Sequence, residues 1–162
     1  MEHSGPIVVG YDGSPSADHA VSEAARLLSP RRALVVVVFK EGVGFELLEA
    51  PTITGVPPAP IDVRTALEVD RSLAERAQRL AEQGAELARQ AGLEAESLAV
   101  ADEPNVTIAE TLVDVARIRD ATALVVGAHG HSRLGEAILG STSRDVIRNA
   151  PCAVLVARAE GD

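Results

Sequence analysis

The chain has 162 residues with 46% apolar and only 2% aromatic content, enough for one domain whose core is Val, Leu, Ile and Ala. A net charge of −9 argues against nonspecific nucleic-acid binding and against docking on an anionic membrane, since both need basic surface. With Cys152 as the single cysteine, no intrachain disulfide and no cysteine zinc site are expected.

The first residues, MEHSGP, carry no apolar signal core, and no apolar run approaches the ~20 residues of a membrane helix. The expectation is a soluble cytoplasmic protein with a single domain over 1–162. Pro6 to Gly10 is a short buried strand, followed by a turn at Tyr11-Asp12-Gly13. Ser14 is suited to cap a helix and Pro15 to open it. Ala17, Ala20, Val21, Ala24, Ala25, Leu27 and Leu28 form the apolar face of that helix, and Ser29-Pro30 stops it. Ala33 to Phe39 is almost wholly apolar, which predicts a central parallel strand buried on both faces.

Residues 40 to 66 break this rhythm with Gly42, Gly44, Gly55, Pro51, Pro57, Pro58 and Pro60. They predict a long flexible surface loop, either a lid over a ligand or an inert insertion, the second being preferred. Glu68 to Ala91 is the longest predicted helix, its stripe being Val69, Leu73, Ala77, Leu80, Gly84, Leu87 and Ala91. Gly84 on that stripe implies close packing, and Gly92 is the expected C-terminal stop. Leu93 to Ala101 alternates polar and apolar residues, as an edge strand does. The next helix carries Ile108, Leu112, Val115 and Ala116; it starts either at Pro104 or at a Thr107–Glu110 capping box. Ala121 to Val126 is the fourth strand and Cys152 to Ala157 the fifth. Strands alternating with helices imply an open parallel α/β sheet with right-handed crossovers.

Val125 to Ser143, VVGAHGHSRLGEAILGSTS, joins the last two strands. Three glycines frame it as Gly127-x2-Gly130-x9-Gly140, and Gly140-Ser141-Thr142-Ser143 reads as a helix start. Glycine lets backbone approach a ligand, and a helix N-terminus rich in hydroxyls suits an anion. The stretch is therefore either a phosphate cradle or a connection whose glycines serve packing. Gly-Lys-Ser/Thr is absent, Lys40 being the only lysine, so the stretch is no Walker loop. Phosphate would be met by backbone N–H groups, Ser141, Thr142 and, in one reading, Arg133 as a guanidinium fork. Arg133 is equally readable as a solvated loop residue. His129, His131 and Ser132 lie in the same loop; the histidines are either donors to phosphate or merely exposed. Gly130-His131-Ser132-Arg133-Leu134 lacks the closing glycine of a nucleophile elbow, and no histidine follows it. We assign no catalytic residue. Asp12 has two readings: a bond to its own turn, or a contact to a ribose hydroxyl or, through water, to Mg²⁺.

Gly127-x2-Gly130-x9-Gly140-Ser141-Thr142 resembles the nucleotide-binding signature of the universal stress protein family. Ile7-Val-Val-Gly-Tyr-Asp-Gly-Ser14 resembles the opening strand of that family, and Ala150-Pro-Cys-Ala-Val-Leu-Val-Ala-Arg158 its closing one. The resemblance covers the whole chain and implies a five-stranded parallel sheet of order 3-2-1-4-5, Rossmann-like, with helices on both faces. It places Gly10 and Asp12 at the crevice where the winding reverses and the base near Val38 and Phe39. It implies ATP as ligand, with AMP, ADP or cyclic AMP as alternatives, and Mg²⁺ as an accessory. A homodimer through the fifth strand is also implied. The activity implied is that of a nucleotide-dependent stress-response module acting on an unidentified regulatory partner. A slow ATPase or nucleotide-dependent transferase is the alternative.

Overall fold

The computed structural model describes residues 5–28, 32–48, 61–129 and 139–158. Five strands, β1 (Ile7–Gly10), β2 (Arg32–Lys40), β3 (Glu94–Asp102), β4 (Ala123–Gly127) and β5 (Ala153–Ala157), form one parallel sheet. Its order is β3-β2-β1-β4-β5, as expected. Among the described residues, five helices connect them: α1 (Pro15–Leu28), α2 (Val43–Leu48), α3 (Val63–Gln90), α4 (Ile108–Ile118) and α5 (Ser141–Asn149).

The period-2 alternation of the strands divides the core in two. Ile7, Val9, Ala33, Val35 and Val37 pack under α1 and α3, together with Ala17, Ala20, Ala81, Ala85 and Ala88. Val8, Leu34, Val36, Leu124 and Val126 pack on the other face, against Leu112, Val113 and Ala116 of α4 and Val146 of α5. The winding runs from β1 outward to β3, then returns to β4 and continues to β5. With crossovers of one hand, that reversal puts the later helices on the opposite face. It also leaves a crevice between β1 and β4 at their carboxyl ends.

Local sequence sets the helix ends. Ser14 caps α1, accepting from the Ala17 N–H at 3.2 Å. Of the two possible starts for α4, the structure has the capping box: Thr107 Oγ1 accepts from Glu110 N, and Glu110 Oε2 accepts from Thr107 N at 2.8 Å. At the end of α3, Leu93 N–H donates to Ala88 O and Gly92 N–H to Arg89 O, with Gly92 at φ +99°. This pair of bonds satisfies carbonyls that the helix leaves open.

Three expectations need correction. Residues 40 to 66 are not one loop: β2 runs to Lys40, α2 occupies Val43–Leu48, and α3 begins at Val63 rather than Glu68. Asp62 sets that start by accepting from Thr65 N at 2.8 Å. Gly44 lets α2 lie on α3, where a Cβ would come within 2.1 Å of Ala66 O, and its N–H donates to Asp70 at 2.8 Å. Residues 49–60 lie outside the described residues, and the lid reading with them. The buried stripe of α3 is shifted: Ala77 and Gly84 are buried and Leu80 packs on the core, as expected, but Ala66, Ala81, Ala85 and Ala88 join them while Leu87 and Ala91 are exposed. Leu27 and Ile108, expected on buried faces, are likewise exposed. A long helix lies close to a sheet through small side chains, so alanine rather than leucine marks the contact. No helix among the described residues is long and apolar enough to cross a membrane.

Candidate functional site

At the carboxyl edge, β2 outruns its neighbour. The register pairs Gly10 with Val36, and Tyr11 N–H still donates to Val36 O at 2.8 Å. From there β2 continues to Lys40, paired only with β3. Because backbone groups alternate sides along a strand, Val38 turns its N–H and C=O toward the side β1 has vacated. Val38 and Phe39 are both partly buried, at the wall of the crevice.

The turn after β1 is built around Asp12. Its Oδ1 accepts from Ser14 N–H at 2.9 Å, which is the turn-forming reading of this residue. Gly13 takes φ +77°, a conformation glycine reaches without a Cβ penalty. Tyr11 is buried and donates to Asp18 at 2.6 Å. Burial, the bond to Asp18 and the nearby carboxylates hold its phenol well above the ordinary tyrosine range. A Cβ at Gly10 would crowd the side chains of Leu112, at 2.8 Å, and Val126, at 3.2 Å.

Across the crevice, Gly127 ends β4 against the first turn of α1. A Cβ there would lie 2.8 Å from Ser16 Oγ and 2.9 Å from its carbonyl carbon. Gly127 is thus packed tightly against α1. Gly140 precedes α5, and its N–H donates to Ala128 O at 2.9 Å. Among the described residues, no side-chain hydrogen bond caps α5. The other helices of more than eight residues are capped by Ser14, Asp62 and Thr107. The first turn of α5 carries no acidic side chain, while Ser141 is exposed and Thr142 partly so. The positive end of the α5 dipole and the backbone N–H groups of Ser141 and Thr142 thus meet no carboxylate from the helix's own first turn. Gly130, His131, Ser132 and Arg133 lie outside the described residues. His129 is partly buried, its backbone N–H directed to Ser16 Oγ at 3.5 Å.

Two residues at this edge were not singled out from sequence. Ser143 is 2% exposed and donates to both Ala128 O and Gly140 O. Ser16, also buried, donates to Ala157 O at 3.4 Å. A run of hydroxyl residues at a helix start does not reveal which one turns inward. Among the described residues, no group of three or more His, Cys, Asp or Glu side chains is placed to hold a metal ion. A groove of about 380 Å³ opens at the opposite, amino edge of the sheet. Its rim mixes Arg32 and Arg119 with Glu94, Glu96 and Asp120, so it offers an anion no net attraction.

An open parallel sheet with a crevice at its winding reversal, flanked by an uncapped helix N-terminus, defines a Rossmann-like domain. The family model described as the universal stress protein family matches residues 52–158. The chain belongs to that family. It is 32% identical over 150 residues to universal stress protein Rv2623 of Mycobacterium tuberculosis, covering 93% of this chain but 46% of the relative. The chain thus spans about half the length of that relative. It is 28% identical over 156 residues to universal stress protein YxiE of Bacillus subtilis, covering 94% of this chain and 97% of the other. Solved structures share the fold. A universal stress protein of Archaeoglobus fulgidus in complex with dAMP aligns with TM-score 0.61 at 21% identity, over 96% of this chain and 99% of that one. An Arabidopsis thaliana family member with AMP bound gives 0.61 at 15%, over 98% and 94%. A universal stress protein in complex with cAMP gives 0.63 at 22%, over 97% and 98%.

Proposed function

We propose that this chain is an ATP-binding universal stress protein, a regulatory module whose crevice between β1 and β4 holds the nucleotide. The observation that carries the reading is the pairing of two features at one edge. One is the β2 overhang, which offers the Val38 N–H and C=O. The other is the α5 N-terminus, left without a capping side chain. Adenine presents neighbouring hydrogen-bond donors and acceptors on its edge, which a strand's N–H and C=O can match. The α5 N-terminus suits phosphate through N–H groups and dipole, with Ser141 and Thr142 as hydroxyl donors. Asp12, at the turn between them, is assigned to the ribose or, through water, to Mg²⁺. Gly130, His131, Ser132 and Arg133 complete the phosphate side in this proposal. The three nucleotide complexes of relatives, with dAMP, AMP and cAMP, support the choice of an adenine ligand.

The experiment is a thermal-shift titration of nucleotide-free protein with ATP, ADP, AMP and cyclic AMP, with and without Mg²⁺. A ligand at a hundredfold excess over Kd stabilises the fold by about 2.7 kcal/mol. At about 2–4 °C per kcal/mol, the rise expected with ATP is about 5–10 °C. No rise with any of the four nucleotides removes the proposal and leaves the glycines to packing. Incubation with ATP and Mg²⁺ separates the module from the slow ATPase: stoichiometric retention supports the first, multiple turnovers the second. A homodimer through β5 belongs to the same proposal, since β5 ends the sheet and its outer edge carries no partner strand among the described residues.

A further inference from the structure

Resting on the placement of phosphate at the α5 N-terminus, we propose that Ser143 is a positioning residue. It fixes that terminus against the end of β4, and so sets affinity for the phosphate part of the ligand without touching it. Ser143 is one of four buried polar side chains among the described residues. Its hydroxyl forks to Ala128 O at 3.1 Å and Gly140 O at 3.0 Å. The Ala128 carbonyl also accepts from Gly140 N–H at 2.9 Å, so both its lone pairs are directed to the start of α5. On its other side the same peptide is fixed: Ala128 N–H donates to Ala157 O at 2.7 Å, and Ala128 is fully buried.

The mechanical consequence follows from helix geometry. The bond through Gly140 N–H holds the helix start only at its N-cap. Ser143, three residues on, holds the first turn at a second point, and Val146 continues the same face into the core. Together these fix the direction in which the N–H groups of Ser141 and Thr142 point. A phosphate held by backbone donors depends on that direction, because hydrogen bonds weaken steeply with angle.

Ser143→Ala isolates the effect. It leaves no orphaned acceptor, since Ala128 O keeps Gly140 N–H and Gly140 O keeps Arg144 N–H at 3.1 Å. The fold then loses about one net hydrogen bond. Calorimetric titration of the full, nucleotide-free chain with AMP, ATP and adenosine is the test. Ser143→Ala is expected to weaken AMP and ATP about three- to tenfold, the range one positioned hydrogen bond commands, and to leave adenosine unchanged. Leu93→Val, a buried site at the other edge of the sheet, is the stability control and should leave the AMP-to-adenosine ratio untouched. An unchanged ratio in Ser143→Ala overturns the positioning role while the nucleotide reading stands. An equal loss of AMP and adenosine overturns it as well, since it shows a merely structural residue. A wild-type chain that binds adenosine as tightly as AMP rejects the phosphate placement itself, and the inference with it. Should Ser143→Ala not fold, Ser143→Thr, which keeps the hydroxyl, must preserve the ratio; a lowered ratio there refutes the proposal.

Discussion

Gly84→Ala sets two magnitudes against each other at one position. Gly84 lies within the 28-residue helix α3, where replacing glycine by alanine gains about 1 kcal/mol of helix propensity. The contact opposes this gain: a Cβ would sit 2.8 Å from Tyr11 Cδ1 and 2.8 Å from Val35 Cγ1. Neither neighbour yields easily, because Tyr11 is a buried ring tied to Asp18 and Val35 is a β-branched residue in a central strand. Overpacking of this kind costs about 1–3 kcal/mol. With about 2 kcal/mol as the central value, the net is about 1 kcal/mol of destabilisation, or a fall of about 2–4 °C in melting temperature. Thermal and urea unfolding of Gly84→Ala, Val35→Ala and the double variant provide the assay. The methyl groups lost from Val35 make room for the new one, so the double variant should be more stable than the two single changes add up to. A Gly84→Ala protein that melts above the parent, with strict additivity in the double variant, would refute the close helix–sheet contact.

Tyr11 should give the protein an alkaline limit. Its folded pKa is raised above the unfolded value of 10.0, so its contribution is complete below pH 10 and is lost as pH rises beyond it. The slope is about 1.4 kcal/mol per pH unit above pH 10; Tyr11→Phe should remove that step, and tyrosinate absorbance, unambiguous with one Tyr and no Trp, should appear only on unfolding. For the proposed dimer, Val156→Pro is the informative change: Ala157 directs its carbonyl to Ala128 N–H of the β4 side, so the neighbouring Val156 faces outward. Light scattering should then show a dimer for the parent chain and a monomer for the variant, and a monomeric parent refutes the edge pairing. Thr107→Ala removes the capping box of α4 and should cost about 1 kcal/mol in denaturant unfolding; no loss would mean that water replaces the cap freely.

The order of elements is legible wherever one physical signal dominates. Ala33 to Phe39 is apolar without interruption and lies in a strand buried on both faces. Ser14-Pro15 and Gly92 mark helix ends by local chemistry, a capping hydroxyl and a left-handed glycine, and the structure places them there. What periodicity missed depends on contact distance rather than composition. A hydropathy stripe favours Leu87 over Ala85 and Ala88, yet the helix turns its alanines to the sheet. Asp62 was hidden because the prolines and glycines before it read as loop, although its side chain reaches only three residues forward to Thr65. At the crevice, Ser141 and Ser143 are the same residue type two positions apart. Only the path of the helix start decides that one is exposed and the other 2% exposed.

Of the motif's glycines, Gly127 therefore carries less functional information than the spacing suggests. It is demanded by the backbone of Ser16, whether or not a ligand is present, whereas a Cβ at Gly10 would press on the side chains of Leu112 and Val126. Loss of nucleotide binding in Gly127→Ala would not distinguish a cradle from a damaged β4–α1 contact, since the new Cβ would lie 2.9 Å from a backbone carbon that cannot move without α1. Ser141 is the position where the two separate. It is exposed at the first residue of α5, and its side chain neither caps the helix nor fills the core. Ser141→Ala should leave the melting temperature of the nucleotide-free protein within about 1–2 °C of the parent, as surface changes do. It should also reduce, without abolishing, the rise produced by ATP, because the helix N–H groups remain. A full ATP-induced rise in Ser141→Ala would remove this hydroxyl from the site and leave backbone donors alone to hold the phosphate.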